Sequence, residues 1–319
     1  MDRSELLKNC TLCPRECGAN RLENRTGYCG AGKNVRAARA ALHFWEEPCI
    51  SGDGGSGTVF FSFCSLKCAY CQNRYISSGG DGLEITAERL AEIFLELEAQ
   101  GAHNINLVTP DHYLPQILFA LDLSRKNGLH VPVVYNCSGW QTVESLRMLE
   151  GYADVFLPDF KYMDDAYARK YSDAPGYADI AKRAIAEMVR QAGEPVFDEN
   201  GIMKKGVIVR HLALPGLSED SKKIVQYLYE TYGDSIYLSI MSQYTPIGMK
   251  DCPELDRRIT KKEYGGIVDY AVSIGVENAF VQEGKAAGES FIPAFDYQGV
   301  RKVSTFLLEK RKVEPKKTY

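Results

Sequence analysis

The strongest constraint on the fold is an alternation that begins near residue 58. Apolar, β-branched runs at 58–63, 104–109, 131–136, 153–157, 206–212 and 236–241, with a shorter one at 278–282, are separated by longer helical stretches. A spacing of roughly 25–50 residues leaves room for a crossover helix, which a parallel pair of strands needs and an antiparallel pair does not. The runs are almost continuously apolar, as suits strands covered on both faces. The stretch 86–100 puts Leu90, Ile93, Phe94 and Leu97 on one helical face and places Gly101 just past its end. The stretch 218–232 opens on Ser218 as a capping residue and carries Ile224, Tyr227 and Leu228 on one face. A full eight-stranded barrel needs about 250 residues. Six βα units therefore predict an α/β fold built as a partial (β/α)6 barrel. A doubly wound sheet is the alternative that periodicity alone leaves open.

The 319 residues suffice for this domain and a smaller one, and ten of them are cysteines. No apolar run reaches the length of about 18 residues that spans a bilayer, and the start Met1-Asp-Arg-Ser-Glu5 has no apolar signal core. A net charge of −4 gives no basic surface for nucleic acid. The expected location is the cytoplasm, with no membrane or nucleic-acid partner. Thiols stay reduced there, so the cysteines read as metal ligands rather than disulfides. Residues 1–50 hold five of them and show little periodicity. They are expected to form a cysteine-rich metal-binding module, followed by a glycine-rich joint at 51–57, the barrel at 58–300, and a C-terminal helix and basic tail at 301–319.

Cys64, Cys68 and Cys71 lie directly after the first run of the alternating region. Three thiolates on one loop can hold three corners of a cubane iron–sulfur cluster and leave the fourth iron open for chemistry. A zinc site is the competing reading, but zinc needs a fourth ligand that the loop does not offer. Active sites of parallel α/β folds form at the carboxyl ends of strands, where this loop sits. Tyr70 can set an aromatic ring beside whatever binds there. In the N-terminal module, Cys10, Cys13, Cys17 and Cys29 supply four thiols, enough for a closed zinc site or for a second iron–sulfur cluster.

The run Cys64-x3-Cys68-x-Tyr70-Cys71 resembles the signature of the radical S-adenosylmethionine superfamily. The following Gln72-Asn73 and later segments resemble its pyruvate formate-lyase-activating-enzyme-like branch, in the group with an N-terminal cysteine module. The resemblance implies a [4Fe–4S] cluster whose open iron binds S-adenosylmethionine. It also implies reductive cleavage to a 5′-deoxyadenosyl radical that abstracts hydrogen from a substrate, with flavodoxin or ferredoxin as electron donor. Asp159-Phe-Lys161 resembles the activases' Asp-x-Lys motif, in which the aspartate helps hold a monovalent cation and the lysine sits at the cofactor end. Asn136-Cys137-Ser138-Gly139 stands where activases carry Asp-Thr-Asn-Gly. Asn136 keeps an oxygen for the cation, whereas the Cys137 sulfur does not suit one. Arg210-His211-Leu-Ala-Leu-Pro215-Gly216 resembles the activases' Arg-x4-Pro-Gly segment. The usual Gly-Gly-Glu-like turn is replaced by Thr109-Pro110-Asp111, where Thr109 and Asp111 can still accept from an ammonium.

The expected catalytic residues are thus Lys161, Arg210 and His211, with a satisfied core histidine as the alternative for His211. The expected cofactor-binding residues are Tyr70, Thr109, Asp111, Asn136, Ser138 and Asp159. The expected substrate is the glycine of a glycyl-radical enzyme or, alternatively, a small molecule or peptide. A non-catalytic iron–sulfur electron-transfer protein is the reading outside the enzyme class.

Overall fold

Ten strands form one open sheet in the computed structural model, which describes residues 5–282 and 293–301. They are β1 Val35–His43, β2 Ser56–Phe61, β3 Leu83–Ile85, β4 Ile105–Val108, β5 Val133–Cys137, β6 Val155–Pro158, β7 Val196–Phe197, β8 Met203–Leu212, β9 Tyr237–Met241 and β10 Ala279–Val281. Their order is β10-β9-β8-β6-β5-β4-β2-β1-β3, with β7 paired to β8. The strands β2, β4, β5, β6, β8, β9 and β10 pair in parallel. That order never reverses, whereas a doubly wound sheet reverses at a switch point. The sheet is therefore a partial barrel wound in one direction, with seven parallel strands among the described residues.

Each of the seven expected strands is present, within three residues at each end. The helix Ala87–Ala99 is capped by Thr86, whose side chain accepts from the Arg89 amide at 3.2 Å, and it buries Leu90, Ile93, Phe94 and Leu97. The helix Ser218–Tyr232 has the expected bounds, but Ser218 does not cap it. Leu217 holds the cap position, and the Ser218 hydroxyl is buried without a partner. Asp220 docks this helix instead, accepting from the amides of Met163 and Asp164 at 2.9 Å each.

The N-terminal region departs most from expectation. Residues 35–43 are a nine-residue strand, paired antiparallel to β2 from Ala37↔Phe61 to His43↔Ser56 and to β3 over 35–37. This part of the expected module belongs to the sheet, as do Ser56 and Gly57 of the expected joint. The strand Val-Arg-Ala-Ala-Arg-Ala-Ala-Leu-His is alanine-rich, and alanine has little β-propensity. Ala37, Ala38, Ala40 and Ala41 are all buried. Residues 297–298 lie against β1, with Tyr297 N–H on Ala38 O and Ala40 N–H on Gln298 O. A Cβ on Gly299 would come within 1.9 Å of Ala40 O. The expected C-terminal helix and tail lie outside the described residues, apart from residue 301.

Beyond β1 the chain turns inward, and Glu46 and Glu47 meet Arg210 of β8. Arg210 donates to Glu47 at 2.8 and 2.5 Å and also to Glu46, and all three side chains are at most 11% exposed. Asn106 of β4 donates to Glu46 at 2.9 Å. This buried triad ties the N-terminal crossing to the far strands. Burial opposes ionisation of Glu47, but Arg210 outweighs it and holds the carboxyl below its usual range. A depressed carboxylate contributes stability above its unfolded pKa, about 4.5, and loses it as pH falls through the folded value. Arg210→Met should cost about 3–5 kcal/mol near neutral pH, because two buried carboxylates lose their partner. Without Arg210, burial is the largest influence on Glu47 and raises it, so denaturant midpoints should show the loss shrinking as pH falls and the variant's Glu47 carboxyl protonates. A pH-independent loss would place the damage elsewhere.

Candidate active site

The carboxyl ends of β2, β4, β5, β6, β8 and β9 surround a cavity of about 270 Å³. Past β2 the chain leaves the sheet through Phe63, which adopts a left-handed φ of 75°. Its ring packs so tightly that a Cβ at Gly30 or Gly80 would come within 2.9 or 2.5 Å of it. The loop that follows is tethered to the end of the helix Asp165–Ser172, with Ala69 N–H on Tyr171 O at 2.7 Å and Lys67 N–H on Ser172 O at 3.2 Å.

Cys64, Cys68 and Cys71 all line this cavity. Ser172 donates to the Cys68 sulfur at 3.0 Å, the Leu66 amide donates to Cys64 at 3.4 Å, and Ser77 lies 3.3 Å from Cys71. Burial raises the free Cys64 thiol and, against the pull of Lys161, pushes Cys68 up to about 11. Metal loading must therefore release protons. Cys137, at the end of β5, is the other cysteine of the cavity wall. Three thiols on one loop, each with a polar group at its sulfur, suit a cluster with one open position.

Asp159 and Lys161 stand opposite, 2.5 Å apart, past β6. Burial works against the Lys161 charge, but Asp159 and Cys68 more than offset it and keep the ammonium well above its ordinary range. The Tyr177 hydroxyl joins Ser138 O at 2.7 Å, Asp159 O at 3.0 Å and the Lys161 amide at 3.0 Å. Gly139 has a φ of 75°, and a Cβ there would come within 2.0 Å of Asp159 O. Only glycine lets the ends of β5 and β6 approach so closely. Thr109, with a left-handed φ of 57°, Asn136, Ser138 and Tyr70 also line the cavity. Tyr70 belongs to a chain of hydroxyls through Tyr162 to Ser172 and on to Cys68, with each O–O distance 2.7 Å.

Three expected residues stand elsewhere or act otherwise. Asp111 lies behind the cavity wall, where it accepts from Tyr135 at 2.8 Å and burial pushes it up to about 6. His211 does not line the cavity either. Its ring nitrogens lie 2.8 Å from Phe160 O and 2.8 Å from Ser221 Oγ, so it is a satisfied core histidine. The reason is strand alternation: Arg210 faces inward, so its neighbour faces the helices. Arg210 reaches the cavity already engaged by Glu46 and Glu47, which makes it a positioning residue rather than a free carboxylate ligand. Glu46 and Glu47 had one sequence signal, two adjacent carboxylates directly after the segment Leu42-His-Phe-Trp45. Tyr162 and Tyr177 had none.

Of the N-terminal cysteines, Cys10 and Cys29 are buried, Cys13 is partly buried and Cys17 is exposed. Among the described residues, no three His, Cys, Asp or Glu side chains converge on a single-ion geometry, and this holds for Cys64, Cys68 and Cys71 as well. Among the described residues no helix is long and apolar enough to cross a membrane.

The Radical SAM superfamily model matches residues 58–228. An uncharacterized protein of Methanocaldococcus jannaschii is 30% identical over 269 residues, covering 81% of this chain and 72% of that protein. A pyruvate formate-lyase-activating enzyme of Clostridium pasteurianum is 26% identical over 238 residues, covering 67% of this chain and 90% of that enzyme. The structure of the FeFe-hydrogenase maturase HydG from Carboxydothermus hydrogenoformans matches in fold with a TM-score of 0.50 at 12% identity. That match covers 70% of this chain and 53% of HydG, so this chain spans about half of the maturase's length. Enzymes of the matched superfamily use a [4Fe–4S] cluster and S-adenosylmethionine. The chain belongs to the radical S-adenosylmethionine superfamily of enzymes.

Proposed function

We propose that this enzyme activates a partner protein by taking a hydrogen atom from a glycine-bearing loop of it, as the similarity to a pyruvate formate-lyase-activating enzyme suggests. The observation that carries the reading is a second cavity of about 650 Å³ that opens from the cysteine cavity and shares Glu46, Phe60, Gln72, Arg210 and Gln243 with it. Phe44 and Trp45, 50% and 59% exposed, stand at its wall. A reacting group entering there meets the cluster cavity directly. The departure at Cys137, buried where activases carry a hydroxyl, favours a second reading in which a small molecule or other peptide is the substrate.

Cys64, Cys68 and Cys71 would hold the cluster. With S-adenosylmethionine bound, the cluster would supply the electron for sulfonium cleavage, and the cofactor would supply the hydrogen-atom chemistry. The chain's own residues bind, orient and exclude water. Asp159, Asn136 and Thr109 offer oxygens to an ammonium, or to a monovalent cation in which Cys137 takes no part. Lys161 offers its charge to a carboxylate. Leu66, Val108, Leu212 and Met241 keep the cavity wall apolar. The electron comes from a one-electron donor of the flavodoxin or ferredoxin class, in the cytoplasm.

The test is anaerobic reconstitution with iron and sulfide, reduction, and measurement of 5′-deoxyadenosine with and without candidate glycyl-radical enzymes. A glycyl radical signal in the partner supports activation; cleavage coupled only to a small molecule selects the second reading. Cys68→Ala should reduce 5′-deoxyadenosine to background, and retained cleavage would sink the cluster assignment. Lys161→Met should keep the cluster's visible absorbance but weaken S-adenosylmethionine binding by about 10–100-fold, the worth of a charged hydrogen bond. Unchanged affinity in equilibrium dialysis would remove Lys161 from the site.

A further inference from the structure

We propose that Cys10, Cys13, Cys17 and Cys29 hold a second, thiolate-bound metal centre whose negative charge is balanced by the buried Arg21. The inference concerns residues outside the catalytic cavity and does not depend on the substrate.

Arg21 opens the short turn Arg21–Glu23 and is 1% exposed. Its Nη2 donates to the Cys10 sulfur at 3.0 Å and lies 3.7 Å from the Cys29 sulfur. Its Nη1 donates to the carbonyl of His112, and its Nε has no partner. Among the described residues it forms no ion pair with a carboxylate. A guanidinium does not give up its proton inside a protein. A buried charge without a countercharge is among the most expensive features a fold can carry. Neutral thiols accept weakly and bring no charge. Thiolates bring both, and metal binding is the general way to hold several cysteines deprotonated together.

Contacts of Arg21 and Gly27 tie the two cysteine-bearing limbs together. Two limbs, 10–17 and 27–30, close on each other. Arg21 bridges them at Cys10 and Cys29. At the other end, a Cβ on Gly27 would come within 2.3 Å of the Cys17 sulfur, so only glycine fits. The Ala31 amide donates to Cys29 at 3.4 Å, a backbone bond that suits a thiolate. Four thiolates on one divalent metal, or on a cubane cluster, leave the centre net negative, and one guanidinium offsets part of that.

The centre is wired to the catalytic loop. Through Arg21 it reaches the backbone of His112, whose ring Nε2 lies 2.8 Å from Ser62 O. Arg15, stacked 3.6 Å over the Tyr28 ring, donates to Ser65 O at 3.2 Å. Ser62 and Ser65 flank Cys64. A metal at the N-terminal thiols would brace the loop that carries the catalytic cluster.

No three of these thiols converge on one ion, which favours a cluster, whose ligands stand farther apart, over zinc; metal content separates the two. The test uses the full chain with Cys64, Cys68 and Cys71 all changed to serine, so it reads the second centre without any S-adenosylmethionine chemistry. Purified anaerobically and reconstituted with iron and sulfide, this variant should retain about one zinc, or about four irons with sulfide, per chain. Adding Cys13→Ser and Cys29→Ser should remove it. In the same background, Arg21→Met should release the metal to a chelator about 10–100-fold faster, and Arg21→Lys should recover part of that difference. A folded triple variant, judged by circular dichroism, that holds no stoichiometric zinc or iron overturns the centre. If the triple variant does not fold, the wild-type protein decides: about four irons and no zinc overturns the centre, while zinc or about eight irons supports it. Unchanged metal release in Arg21→Met overturns the role of Arg21.

Discussion

Arg210 and its two glutamates are the interaction on which the rest of the structure depends. An open sheet of parallel strands has an interior that no strand closes, and something must fill it. Here the segment after β1 crosses that interior, and its acidic pair is held by a guanidinium from β8 and an amide from β4. Three charges inside an apolar wall are tolerable only together. The triad therefore fixes where the crossing runs. The crossing in turn divides the interior into the cysteine cavity and the larger cavity beside it, both of which Glu46 and Arg210 line.

The same economy recurs at the strand ends. Parallel strands finish together on one side, so polar groups placed just past each apolar run converge without long-range instruction. Asp159 and Lys161 follow β6, Asn136 and Ser138 end or follow β5, and Thr109 follows β4. Close approach does the rest. Gly139 lets β5 and β6 touch, and the Tyr177 hydroxyl gathers the carbonyls that the strands leave unpaired. The cluster loop is held from outside by Ser172, on the Cys68 sulfur, and by Tyr162, whose hydroxyl donates to the loop's own Tyr70.

The N-terminal fifty residues have two jobs rather than one. Their first part folds around Arg21 and rests on the segments flanking Cys64. Their second part is a strand that extends the sheet antiparallel, against which residues 297–298 lie. Stabilising contacts to the cluster loop thus come from a region whose own apolar content is small, which is where a bound metal matters most.

Much of the fold and the centre of the site were legible in the sequence. Apolar runs of strand length separated by amphipathic helices allow few architectures, and three cysteines on the loop after such a run point to a cluster with one open position. These are local properties, set by spacing and side-chain type. What only the tertiary structure decided concerns partners distant in the chain. The direction of winding, which separates a partial barrel from a doubly wound sheet, depends on which strands pair. An alanine-rich segment became β1 through backbone pairing with β2 and β3, against its own propensity. His211 and Asp111 fell outside the cavity, and Arg210 was claimed by glutamates 163 and 164 residues away. Spacing places a residue at the end of a strand. Which face it presents, and which charge meets it there, is settled only when the whole sheet curls and every buried charge must find its opposite.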